Sequence, residues 1–145
     1  MKLGLQLGYW GTGPVADHGQ LVAAAEAAGF DGVFTAEAWG SDAYTPLAWW
    51  GSQTQRVRLG TSVLQLSART PTACAMAALT LDPFSGRRHV VGLGGSVTPV
   101  VQVWSGQPSP QPPARTRAYV AINPPTCAPH AHLSNHRPPS PPTPH

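Results

Sequence analysis

Leu3 to Tyr9 sets leucine against glycine or glutamine, the two-residue period of a strand with a buried face. A Gly-Thr-Gly-Pro turn follows at 11–14. The period then lengthens, with Leu21, Ala24, Ala25 and Ala28 recurring at helical spacing. Asp17 stands where an N-cap would accept the first free N–H groups, and Gln20 completes a capping-box pair. Gly29 is placed to close that helix. The same order repeats. Gly32 to Ala36 is a short apolar strand entered through the Asp31-Gly32 turn. Ser41 or Asp42 caps a second helix running to about Thr54, with Pro46 tolerated in its first turn. Val57 to Leu66 reads as a third strand. Thr70-Pro71 is an N-cap followed by proline at the first helical position. That helix carries Cys74, Ala77, Ala78 and Leu81, and Asp82-Pro83 is expected to stop it. His89 to Gly94 is the near-continuous apolar run of a central parallel strand.

Strands alternating with helices in this way predict an α/β fold of parallel βα units. A doubly wound nucleotide-binding sheet uses the same alternation, and Gly92-Leu93-Gly94-Gly95 invites comparison with its fingerprint. That fingerprint needs a third glycine where this chain has Val97, and it follows the first strand rather than the fourth. The 145 residues suffice for one domain, whereas a complete eight-stranded β/α barrel takes about 250.

Composition narrows the function classes. The formal charge is +3, yet all six acids lie at or before Asp82, so the basicity reflects an acid-free C-terminal segment rather than a lysine-rich groove. No nucleic-acid partner is expected. Cys74 and Cys127 have neither metal-ligand nor redox spacing, which fits a reducing, cytoplasmic setting. No run approaches the roughly 18 apolar residues of a membrane span, and no export signal is legible.

Several stretches, in order, carry a resemblance. They are Lys2 to Trp10, Ala25 to Asp31, Thr35 to Asp42, Arg58 to Gln65, Ala68 to Pro71, Leu81-Asp82, Ser85 to Arg87 and Gly92 to Gly94. The series continues through Trp104 to Gly106 and Ala114 to Ile122. Together they resemble the luciferase-like monooxygenase superfamily, most of all its actinobacterial branch that uses the deazaflavin coenzyme F-420 in place of FMN. The resemblance implies a TIM-type (β/α) barrel, here a partial one of about four βα units, with the cofactor at the C-terminal ends of the strands. It implies an oxidoreductase that moves a hydride to or from a small-molecule substrate, or a monooxygenase.

Four strand ends then become candidate sites. Gly8, Tyr9 and Trp10 would floor the cofactor pocket, or merely cap a barrel layer. Glu37 is the ionisable group after the second strand, a candidate for general acid–base work or, alternatively, a carboxylate bonded to backbone or an arginine. Ala38 stands where the resemblance would place a proton-transfer histidine. Thr61, Ser62 and Val63 end the third strand, and relatives that hold the deazaflavin place a non-prolyl cis peptide there, at Ser62-Val63 by position. Gly94, Gly95 and Ser96 could offer backbone N–H groups to a cofactor phosphate, or form a plain tight turn. No metal site is expected.

Residues 1–122 thus read as the N-terminal half of such a barrel, and 123–145 as a separate tail. Twelve of the 17 prolines fall between Pro108 and Pro144. The tail has no apolar periodicity and is expected to be disordered. Its Pro, His, Arg, Ala and Thr fit an out-of-frame reading of a GC-rich gene. A non-catalytic fragment or pseudogene product is therefore the alternative to an enzyme impaired by truncation. Pairing of two copies, giving a homo-oligomer, is open. Pro110 to Arg115 also matches a proline-rich SH3 ligand, and His130, His132 and His136 a weak metal site.

Overall fold

A computed structural model describes residues 1–8, 10, 13, 16–96, 100–104, 106 and 112–122. Tyr9, Val97, Cys127, the proline-rich peptide's start at Pro110 and the whole 123–145 tail with its histidines lie outside the described residues.

Strand β1 (Gly4–Gln6) leads to helix α1 (His18–Ala27), then β2 (Gly32–Thr35), α2 (Tyr44–Gln53) and β3 (Arg58–Thr61). After β4 (Leu64–Gln65) come α3 (Pro71–Phe84), β5 (His89–Val90), β6 (Leu93–Gly94), a π-helical turn at Val100–Trp104 and α4 (Pro112–Ile122). The sheet runs β1-β2-β3-β5, all parallel, and β4 pairs with β6 beyond it. Among the described residues strand order does not reverse, as it would at the crevice of a doubly wound sheet. Successive helices pack side by side, which is the plan of a β/α barrel wall.

The core lies between strands and helices. Val33 and Leu59 point from β2 and β3 onto Val22 of α1, Leu47 and Trp50 of α2, and Cys74, Ala78 and Leu81 of α3. All these side chains are buried, and burying each large apolar group contributes about 1.5–3 kcal/mol. On the opposite face of the sheet the Phe34 ring lies across Gly4 and Gly60. A Cβ at Gly4 would sit 2.8 Å from the ring, and one at Gly60 would overlap it.

Local rules account for most boundaries. Gly29 adopts φ +86°, and the N–H groups of Gly29 and Phe30 return to the carbonyls of Glu26 and Ala25 at 3.1 and 3.0 Å. This is a Schellman closure, in the register the sequence implies. Thr70 caps α3 by accepting from Ala73 N at 3.2 Å. The Asp42 carboxylate accepts from the N–H groups of Tyr44 and Thr45, both at 3.1 Å, at the start of α2.

Four expectations need correction. Asp17 does not cap α1 with its side chain: it sits at φ +70°, outside the extended region from which a cap side chain reaches the helix N–H groups. Its carboxylate meets only Gln20, at 3.5 Å. The first strand is three residues long, Gly4–Gln6, although Leu7 N still donates to Phe34 O at 2.8 Å. The third and fourth strands are each interrupted, at residues 62–63 and 91–92. At the interruption the Thr61 hydroxyl both donates to Gly92 O and accepts from Gly92 N, each at 2.8 Å, replacing the backbone ladder. Finally, α3 runs past Pro83 to Phe84. One carbonyl goes without its helical N–H, but the turn closes on Ser85 N to Leu81 O at 2.8 Å and Arg87 N to Asp82 O at 2.7 Å. No helix among the described residues is long and apolar enough to cross a membrane.

Candidate active site at the strand ends

The C-terminal strand ends meet edge to edge. Gly8 packs so closely on Ala36 that a Cβ there would lie 2.8 Å from the Ala36 nitrogen. Trp10 turns back, its indole N–H donating to Leu7 O at 3.1 Å, with its ring 5.3 Å from that of His18. From the next strand end, Glu37 N donates to Val63 O at 3.0 Å, and Ser62 N donates to Thr35 O at 2.6 Å. The Ser62-Val63 peptide is cis, where the resemblance placed it. Val63 remains 40% exposed and leans over Gly94, where any Cβ would overlap its methyl groups. Gly95 and Ser96 follow at the open end of β6, with nothing within 4 Å of where a Gly95 Cβ would stand. The structure thus brings Gly8, Glu37, Thr61, Ser62, Val63 and Gly94 into one contiguous shelf. Trp10 and Ala38 lie on its flank.

Glu37 is held on every side. Its side chain is 5% exposed, and Arg69 pairs with Oε1 at 2.9 Å through both Nε and Nη2. Its other oxygen accepts from Gln65 N at 3.1 Å. Arg69 Nη2 also reaches Asp42 at 3.0 Å, and the guanidinium carbon lies 5.2 Å from the centre of the Tyr44 ring. Burial works against the Arg69 charge, but hydrogen bonding and attraction to Glu37, with Asp42 adding, hold its pKa above the ordinary arginine value. Burial, reinforced by neighbouring Cys74, pushes the Tyr44 hydroxyl well up. It therefore stays a neutral donor, to Cys74 O at 3.5 Å. Around these groups an open depression of about 450 Å³ is lined by Glu37, Ala38, Trp39, Asp42 and Arg69. Its ionised groups sum to one net negative charge.

Arg69 and Tyr44 are members of this cluster that the sequence pattern did not single out, and Asp42 figures there only as a helix cap. One signal was present: a carboxylate follows the second strand and an arginine immediately precedes the third helix, and neighbouring βα loops face each other in a barrel. Among the described residues no cluster of three or more His, Cys, Asp or Glu could hold a metal.

Comparison with known proteins shows what the chain resembles in sequence and fold. Residues 4–125 match the luciferase-like monooxygenase family. A protein of Mycobacterium tuberculosis named as a coenzyme F-420-dependent oxidoreductase is 75% identical over 122 residues, 84% of this chain and 35% of its own length. The chain thus spans about a third of that relative. A solved monooxygenase from Streptomyces bottropensis superposes with a TM-score of 0.73 at 27% identity, covering 85% of this chain and 42% of its own. The oxygenating constituent of 3,6-diketocamphane monooxygenase from Pseudomonas putida, in complex with FMN, gives 0.71 at 19% identity, over 85% and 39% respectively.

Proposed function

Since the chain belongs to the luciferase-like monooxygenase family, we propose that it forms the first half of a barrel oxidoreductase whose cofactor is coenzyme F-420. The observation that carries this reading is the shelf of strand ends, with Val63 seated over the bare Gly94. A flat tricyclic ring needs an apolar backing and no side chain crowding it, and Val63, Gly94 and Gly95 meet both needs. F-420 is favoured over FMN by the 75% identical relative named for it. When bound, the deazaflavin would accept or supply a hydride.

This chain's own residues bind and orient. Val63 backs the ring, Trp10 walls one side, and the open space beside Gly95 leaves room for a phosphate to meet the N–H groups of Gly95 and Ser96. Glu37 serves as an anchor, because both its oxygens are already engaged by Arg69 and Gln65 N. Proton transfer by Glu37 would first require Arg69 to leave. The substrate is a small molecule reached through the depression beside Ala38 and Trp39, and the protein works in the cytoplasm.

Fluorescence titration of the purified 145-residue chain with F-420 and FMN tests this. We expect saturable binding of F-420, tighter than that of FMN. If neither binds below about 100 µM, near −5.5 kcal/mol, the chain is a non-catalytic product and the reading fails.

A further inference from the structure

We propose that Arg69 is a positioning residue that holds the cofactor shelf in register, tying helix α4 to the Val63 carbonyl through Glu37. The connection runs through a hydrogen bond or ion pair at each joint. The Tyr119 hydroxyl of α4 shares its one proton between Leu66 O, at 2.6 Å, and the Arg69 carbonyl, so α4 grips the segment between β4 and α3. The Arg69 guanidinium then bridges two carboxylates, Glu37 and Asp42, of the loop after β2. Glu37 in turn accepts from Gln65 N with its side chain and donates to Val63 O with its backbone. Position 63 is therefore held through Glu37 by a guanidinium that does not itself touch it.

The chemistry favours arginine for this task. A planar guanidinium presents donors in a fixed fork, and here Nε and Nη2 together grip one carboxylate while Nη2 meets a second. Glu37 is nearly buried, and a carboxylate left there without its partner would draw in water or turn away. Either response would release Gln65 N and slacken the strand end that carries Val63. The inference rests on the proposed cofactor shelf, but the device itself has a signature that needs no cofactor.

Backbone hydrogen exchange on the whole chain reads that signature. In Arg69→Ala the amides of Glu37 and Gln65 should exchange at least ten times faster, while Val33 and Leu59 in the core strands change little. Arg69→Lys keeps the charge with fewer directed donors and should recover part of that protection. Tyr119→Phe, which removes one hydroxyl, should loosen the same two amides to a lesser degree. Affinity for F-420 should fall tenfold or more in Arg69→Ala and follow the same order across the variants. Unchanged protection at Glu37 and Gln65 would overturn the proposal. So would faster exchange spread evenly through β2 and β3, which marks a general loss of stability. Should wild type bind no F-420 while the local exchange pattern is as described, the cofactor reading falls and the positioning device stands.

Discussion

Arg88 closes three elements at once, and removing it should destabilise the fold measurably. Its Nε donates to Ser85 O at 2.6 Å, Nη1 to Thr54 Oγ1 and Val57 O at 2.9 Å each, and Nη2 to Thr54 O at 2.9 Å and Gly51 O at 3.0 Å. These acceptors are the C-terminal end of α2, the segment entering β3 and the cap of α3. A single hydrogen bond to a charged group contributes about 1.5–3 kcal/mol. The five share one guanidinium and are not additive, and the side chain is half-buried, so water replaces part of what is lost. Arg88→Ala is therefore expected to cost about 3 kcal/mol, the worth of one to two hydrogen bonds to a charged group.

Urea unfolding followed by tryptophan fluorescence, to which buried Trp50 contributes, measures this. With a slope of about 2 kcal/mol per molar urea, the midpoint should drop by about 1.5 M. The neighbouring Arg87 is the control: it is exposed, with φ at +61°. Arg87→Ala should move stability by less than about 0.5 kcal/mol, and Arg87→Gly should raise it by about 1 kcal/mol by relieving the left-handed backbone. Arg88→Lys should recover less than half of the loss, because an ammonium cannot span acceptors on three elements. A loss below about 1 kcal/mol in Arg88→Ala would refute the reasoning, showing that water serves those carbonyls as well as the guanidinium does.

Two further expectations follow from polar groups and their partners. Thr35 and Thr61 are both buried threonines, but the Thr35 hydroxyl has no partner whereas that of Thr61 bonds Gly92 twice. Thr35→Val should therefore be neutral or stabilising by up to about 1 kcal/mol and Thr61→Val destabilising by about 1–2 kcal/mol; equal shifts in thermal melts would show that burial alone governs. Burial pushes the Glu26 carboxyl up, but the N–H groups of Val57, Arg56 and Gln55 and the field of Arg88 together hold it below 4.5. A depressed carboxylate contributes stability that is complete above its unfolded pKa and lost as pH falls through the folded one. Melting temperature should thus decline below about pH 4.5 in wild type and decline less in Glu26→Gln; identical acid limbs would exclude this role.

The alternation of strand and helix, the Gly29 closure and the Thr70 cap were legible because each is decided within a few residues. The Ser62-Val63 peptide was legible only through family resemblance. What escaped is non-local. Arg69 meets Glu37 across 32 positions and Arg88 meets Gly51 across 37, and no window along the chain contains both partners. Asp17 failed as a cap for a different reason: side-chain identity permits capping, but the backbone angle that aims it is set by the chain entering α1. The broken strands were missed because Thr61 substitutes a hydroxyl for the ladder, a replacement invisible to hydrophobic period.

The ring of Phe34, spread over Gly4 and Gly60, binds three positions on three strands into a single allotment of volume. Relatives that keep an aromatic residue at 34 should keep glycine at 4 and 60. Those that shrink it should gain side chains at those two positions, by substitutions that arise together because either alone leaves a hole or a collision. Pairwise covariation among 4, 34 and 60 would then record the inner layer of the barrel in sequence statistics, where the hydrophobic pattern of each strand taken singly leaves no trace of it.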